Sequence, residues 1–349
     1  MGPSTEASHL LPFASDPALQ RRFLASEVPR PGNLRFGLLL EVLDALAEDV
    51  ALEHVRITHP EARVVTAAVD SIQVRGPADP RRDLRCLARV NWVGRTSLEV
   101  GIRVAHPGDA LGPEQHVASC YFTMVARPPD EGPSLPLPPL VPATPQAQRR
   151  WDRAQARKDR ARDATGRAAA PPDPEEYAAL QALHQAQEDA AFGGLLARDL
   201  LVETWERTYP ELENVPRKIF GGHLIHRAFE GASLCAERVA PDTPLVVGVN
   251  RINFHQPVRM GDTLRFLSRA IHSGRNSVTV QTQILRRSVD RTLTALSNTC
   301  AFTFVNVAEG LVPRPVPAVH PTTYREDALW LEAHRGRKAH LDWVALGRP

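Results

Sequence analysis

Residues 84–104, LRCLARVNWVGRTSLEVGIRV, and 264–284, LRFLSRAIHSGRNSVTVQTQI, align without a gap at an offset of 180 residues. Leu84, Arg85, Leu87, Arg89, Gly94, Arg95 and Ser97 meet identical partners in that register. The same offset sets VDSI (69–72) against VNRI (249–252), and CYFTMV (120–125) against CAFTFV (300–305). One register held over so much of the chain marks a tandem duplication, so the fold must be built twice from one kind of unit. A chain of 349 residues, 43% of them hydrophobic, is long enough to bury a core in each.

Each unit opens on a mostly apolar helix, FGLLLEVLDALAEDV in the first and FGGHLIHRAFEGASLC in the second. The first is apolar almost all round (Leu38, Leu39, Leu40, Val42, Leu43, Ala45, Leu46), which predicts burial. Four segments rich in Val, Ile, Thr and aromatics follow it: ARVVTAAVDSIQV, DLRCLARVNWVG, TSLEVGIRV and HVASCYFTMVA. They read as strands. The expected class is α+β, a tandem (double) hotdog in which each unit is a buried helix wrapped by an antiparallel sheet. The units are placed at residues 15–127 and 195–308. Residues 128–194 form a Pro-rich linker with a basic helical segment, and 309–349 a tail with a short helix.

The linker reading rests on ARPPDEGPSLPLPPLVPATP (126–145), whose prolines cannot sit in a helix or an interior strand. QAQRRWDRAQARKDRARDATGR follows; its aspartates interrupt the positive charge, so a solvated helix is expected and no nucleic-acid partner. A net charge of +2 exerts no global pull toward polyanions. The four cysteines form no C-x-x-C pair and lie in apolar settings, as buried free thiols would. No apolar run approaches the ~20 residues of a membrane span. The N-terminal segment, with its acids, lacks the pattern of a leader, and the expected location is cytoplasmic.

Taken together, FGLLLEVLD, VDSIQV, VNWVGRTSLEV, FTMVAR, KIFGGHLIHRAFE and PTTYREDALWLEAHR resemble the acyl-coenzyme A thioesterase 9 type enzymes. The resemblance runs in order from about Ser15 to Arg337, through the Pro-rich break and the basic helix. It implies the double hotdog fold and hydrolysis of fatty acyl-CoA to free acid and CoA. No metal or redox cofactor is expected, CoA arriving as part of the substrate, and the chains are expected to form a homo-oligomer.

Thioester hydrolysis needs a place for the developing oxyanion and a carboxylate to activate water or attack directly. Gly221-Gly222 opens a helix, where free backbone N–H groups and the helix dipole favour negative charge and glycine permits close approach. Such glycines also suit tight helix–sheet packing; the resemblance favours the oxyanion role. In hotdog thioesterases the helix carboxylate stands seven positions past the second glycine of the opening. Asp44 matches that place when Gly37 is taken as the equivalent glycine. In the second unit the matching position is Phe229, and Glu230 lies one further on, about 100° around the helix.

Asn33, four residues before Gly37, is the candidate water-positioning amide. Arg217 and Lys218 stand at the corresponding place in the second unit, where Arg217 could hold a carboxylate or phosphate. His223 lies on the first turn of the second helix as a substrate contact. Arg95 and Arg275 lie at strand-to-strand turns, either solvated or meeting CoA phosphates. Nothing completes a metal set at sensible spacing. The alternatives are a hotdog dehydratase or hydratase on acyl thioesters, and a non-catalytic acyl-CoA-binding protein.

Overall fold

The computed structural model describes residues 6–130, 132–168, 170–215, 218–250 and 252–345. The strands of the first half lie side by side in the order Glu6–Leu11, Leu84–Val93, Ser97–His106, Gln115–Arg127, Arg63–Val74. The sheet continues into the second half as Thr243–Val249, Thr294–Ala308, Ser277–Arg287, Thr263–Ser273 and Leu201–Arg207. Counted outward from the middle, both halves run through the same series of repeat-equivalent strands, and all neighbours on this path are antiparallel.

The join between the halves uses the repeated VDSI and VNRI segments. Ile72 pairs with Val249, and Val69 pairs with Ile252. Each of these pairs becomes the other when 180 is added to one residue and subtracted from its partner. That reciprocity is the mark of an isologous, twofold-like contact within one chain.

The helices Phe36–Val55 and Gly221–Glu237 lie against the sheet, one per unit. Leu39, Leu40, Leu43, Ala47, Ala51 and Val55 are fully or almost fully buried, so the first helix is enclosed as its all-round apolarity predicts. Truncating such a leucine to alanine costs ~2–5 kcal/mol. The two helices also meet one another. The rings of Phe36 and Phe229 are 5.5 Å apart, and a Cβ on Gly222 would stand 3.0 Å from the Glu41 Cα. A side chain at Gly222 would push the helices apart.

The basic helix, Pro145–Ala168, docks on the outer side of the first unit rather than standing free in solvent. Arg157 pairs with the fully buried Glu99 at 2.5 Å and covers the Tyr121 ring, while Lys158 lies over Trp92. Residues 132–143 form neither helix nor strand, as their prolines require. Helix Pro174–Ala186 starts on an Asp173–Glu176 capping box.

Two elements differ from the sequence reading. The sheet begins before residue 15, because Glu6–Leu11 forms an edge strand held by Glu6 on Arg89. Its alternation is too polar to announce a strand until that partner is in place. The tail carries a long helix, Tyr324–Ala345, not a short one. Its buried Trp330 and Ala333 and the Glu326–Arg269 ion pair bind it to strand Thr263–Ser273.

Candidate active site

Asp44 sits midway along the first helix and is 1% exposed. Two donors hold its carboxylate. The Thr66 hydroxyl, from strand Arg63–Val74, donates to Oδ1 at 2.6 Å, and the Gly222 backbone N–H points at the same group. A Cβ on Gly221 would come within 3.3 Å of Oδ2. The first unit's carboxylate therefore faces the glycine opening of the second unit's helix. Burial is the largest influence on this acid and outweighs both hydrogen bonds, raising its pKa from 3.8 to about 6. A carboxylate poised there is ionised at neutral pH yet basic enough to take a proton.

The helices are equivalent at an offset of 185 residues, so the opposite face can be compared position by position. There Phe36-Gly37 stands for Gly221-Gly222 and Phe229 for Asp44, and at the strands' offset of 180 Val246 stands for Thr66. Phe229 packs against Phe36, Phe302 and Phe304. An acid, its hydroxyl partner and one opening glycine have all been replaced by apolar groups.

Both faces carry a cleft. The one beside Asp44 has a volume of about 420 Å³ and is lined by Glu41, Ala45, Glu48, Asp49, Phe220 and His223, with Glu211 and Leu212. The one on the Phe229 side, about 1300 Å³, includes Arg35, Glu230, Ser233 and Leu234. These four are the repeat counterparts of Phe220, Ala45, Glu48 and Asp49. The two clefts thus lie at repeat-equivalent places, the smaller one reaching Ala45 and Phe220, the chain neighbours of Asp44 and Gly221, without Asp44 itself in its lining.

The remaining candidates are distributed as follows. Asn33 lines the larger cleft, but its amide accepts from Ser26 N–H and donates to the Ser26 and Val28 carbonyls, closing its own loop instead of presenting a water. Gly37 is covered by the His226 ring, which leaves its backbone closed to an acyl group. Glu230 is half-exposed and bonded to His226 at 3.2 Å, with Arg35 at 4.0 Å; the His226 hydrogen bond holds its carboxyl below the usual range. That environment suits a fixed anion, not a base.

His223 lines the smaller cleft but is engaged by Glu206 at 2.9 Å and Glu41 at 3.7 Å. Burial works to lower its pKa, yet these carboxylates outweigh it and hold the imidazole at about 9. Arg95 and Arg275 are exposed at equivalent turns outside both clefts, their carbonyls accepting from Leu137 and Val316. Arg217 lies outside the described residues. Among the described residues no group of three or more His, Cys, Asp or Glu could hold a metal ion.

Thr66 was not singled out in the sequence. Its signal is positional: a hydroxyl facing the helix from the strand next to it, with valine at the repeat-equivalent place.

Residues 32–112 and 218–293 match the family model described as the thioesterase superfamily, one match per unit. Human mitochondrial acyl-coenzyme A thioesterase 9 is 29% identical over 93% of this chain and 75% of its own length. Protein VdlD of Helicobacter pylori is 34% identical over 45% of this chain and 91% of its own length. A solved structure from Lactobacillus plantarum, described as an oleoyl thioesterase, overlays with a TM-score of 0.50 at 12% identity. It covers 87% of this chain and 96% of that one, and supports the fold alone.

Proposed function

This chain belongs to the thioesterase superfamily, in two tandem units, and we infer from that membership that it hydrolyses acyl-CoA thioesters to free acid and CoA. The observation that carries the reading is Asp44, buried and held by Thr66, facing the N-terminus of the Gly221–Glu237 helix.

In this reading Asp44 is the general base. It takes a proton from water as the water oxygen adds to the thioester carbonyl carbon. The carbonyl oxygen becomes an oxyanion at the helix N-terminus, where backbone N–H groups and the dipole stabilise it. The tetrahedral intermediate then expels the CoA thiolate. The proton passes from Asp44 to that sulfur, leaving carboxylic acid, CoA thiol and the regenerated carboxylate. No metal or redox partner is required by this sequence of steps.

Fatty acyl chains are the proposed substrates, and a homo-oligomer the proposed assembly. A cytoplasmic setting is proposed as well. The relative named as mitochondrial makes cell fractionation the measurement for that point. Among the described residues no helix is long and apolar enough to cross a membrane. The test of activity is CoA release from saturated acyl-CoAs of graded length, followed with a thiol reagent. Release from none of them would overturn the reading, and turnover confined to unsaturated or hydroxylated acyl thioesters would favour a hydratase.

A further inference from the structure

The larger cleft has lost its acid but not its shape. It offers about 1300 Å³, above the ~300–1,000 Å³ usual for small-molecule sites. Its apolar part includes Phe36, Leu39, Phe229, Leu245 and Val246, the last two on the strand beside the inter-unit join. Gly32 adopts a φ of +84°, and a Cβ there would come within 2.9 Å of the Leu245 side chain. That conformation lets the 30–35 loop close against the strand and form one wall. The same loop brings Arg30 and Arg35 to the cleft. Arg75 lines it too, as do three acids, Glu230, Glu237 and Glu309, of which Glu230 is already offset by His226 and Arg35.

Among the substitutions that separate this cleft from the catalytic one, three act on chemistry more than on binding. Phe229 for Asp44 removes the base. Val246 for Thr66 removes the hydroxyl that would hold it. Phe36 for Gly221 fills the place beside the helix N-terminus. An apolar chain gains surface from each of them, whereas water loses the base, its hydroxyl partner and the open place at the helix start.

We propose that the Phe229-side cleft is a second, non-hydrolytic acyl-CoA site, holding the acyl chain against Phe229 and Val246 and the phosphates near Arg30 and Arg35. The proposal rests on the substrate class inferred above. An acyl-CoA bound here persists, so occupancy reports substrate supply to the same molecule.

The experiment is calorimetric titration of the full chain with a non-hydrolysable S-alkyl-CoA thioether. Two equivalents per chain are expected for the natural sequence. Ser233→Trp, which fills the larger cleft, and Ala45→Trp, which fills the smaller, should each reduce this to one. Arg30→Glu, a surface change that spares the packing, should weaken one of the two affinities tenfold or more. A single equivalent in the natural chain overturns the proposal, as does a Ser233→Trp chain that still binds two. Fatty acid or CoA occupying this cleft in competition while the thioether does not also overturns it. Two equivalents without any thiol release from acyl-CoA leave the second site standing and remove the hydrolase reading. Thiol release with one equivalent does the reverse.

Discussion

Glu41 and His226 occupy equivalent positions on the two central helices, and they hydrogen-bond to each other at 2.7 Å across the pseudo-twofold axis. In a symmetric ancestor these positions would hold like residues facing each other. Divergence has placed a carboxylate against an imidazole there, extended by His223 to Glu206 and by His226 to Glu230. The contact between the units is therefore asymmetric, an acid on one helix meeting an imidazole on the other.

The first prediction follows from the sign of each shift. Burial raises Glu41, but the His223 imidazole 3.7 Å away and the hydrogen bond with His226 outweigh it and bring it from 4.5 to about 2. Its stabilisation is present above 4.5 and is lost as pH falls through about 2. His223 is raised from 6.5 to about 9, so its stabilisation is full below 6.5 and is lost as pH climbs through about 9. In an Asp44→Asn background, which removes the titration of that acid, urea unfolding should show a plateau between these limits. Stability should decline from 6.5 toward 9, and His223→Gln should flatten that decline. An alkaline limb unchanged by the substitution would remove the network from the account.

Thr66 is expected to tune Asp44. Its hydrogen bond lowers the carboxyl against the effect of burial, so Thr66→Val should raise the Asp44 pKa further above 6. The acid limb of the kcat profile should move to higher pH, with a smaller rate at pH 7 and a KM close to that of the natural chain. A lower rate at every pH, with the limb in place, would mean that Thr66 serves packing alone.

The duplication, the two central helices and the four repeated strands of each unit were legible because periodicity and a fixed offset survive divergence. Asp44 was legible as a charge on an apolar helix. What it faces was not, since the Gly221–Asp44 approach joins residues far apart in sequence through the inter-unit join. Asn33 misled because an amide near a helix start serves a loop as readily as a water. His223 and His226 gave no sign in the sequence of their partner, since Glu41 lies on the other unit. The edge strand Glu6–Leu11 was invisible for a similar reason, its register being supplied by Leu84–Val93.

The helix Pro145–Ala168 should bind no nucleic acid. Arg157 is committed to Glu99 and Tyr121, and Lys158 to Trp92, so these cations face the protein's own sheet. Intervening acids, Asp152 and Asp159, interrupt the rest. Fluorescence anisotropy with single-stranded and duplex DNA should give no signal at 50–200 mM salt, about the range in which phosphate contacts weaken steeply. Affinity that falls with log salt would contradict this.

The last prediction separates the two faces of the molecule and couples activity to stability. Removing a general base costs ~100-fold or more in rate, so Asp44→Asn should nearly abolish thiol release. Glu230→Gln should keep most of it, because Glu230 lies on the face where Phe229 stands in place of the acid. Loss of activity by itself could reflect unfolding, and the pKa of Asp44 supplies the control. Holding an ionised carboxylate whose pKa has risen from 3.8 to about 6 costs the fold roughly 3 kcal/mol above that pH. Asparagine keeps the shape without the charge. Asp44→Asn should therefore melt higher than the natural chain at pH 8 and lose that advantage as pH falls below about 6. A variant both inactive and less stable at pH 8 would mean that Asp44 is a structural acid. An inactive Glu230→Gln beside an active Asp44→Asn would transfer catalysis to the larger cleft.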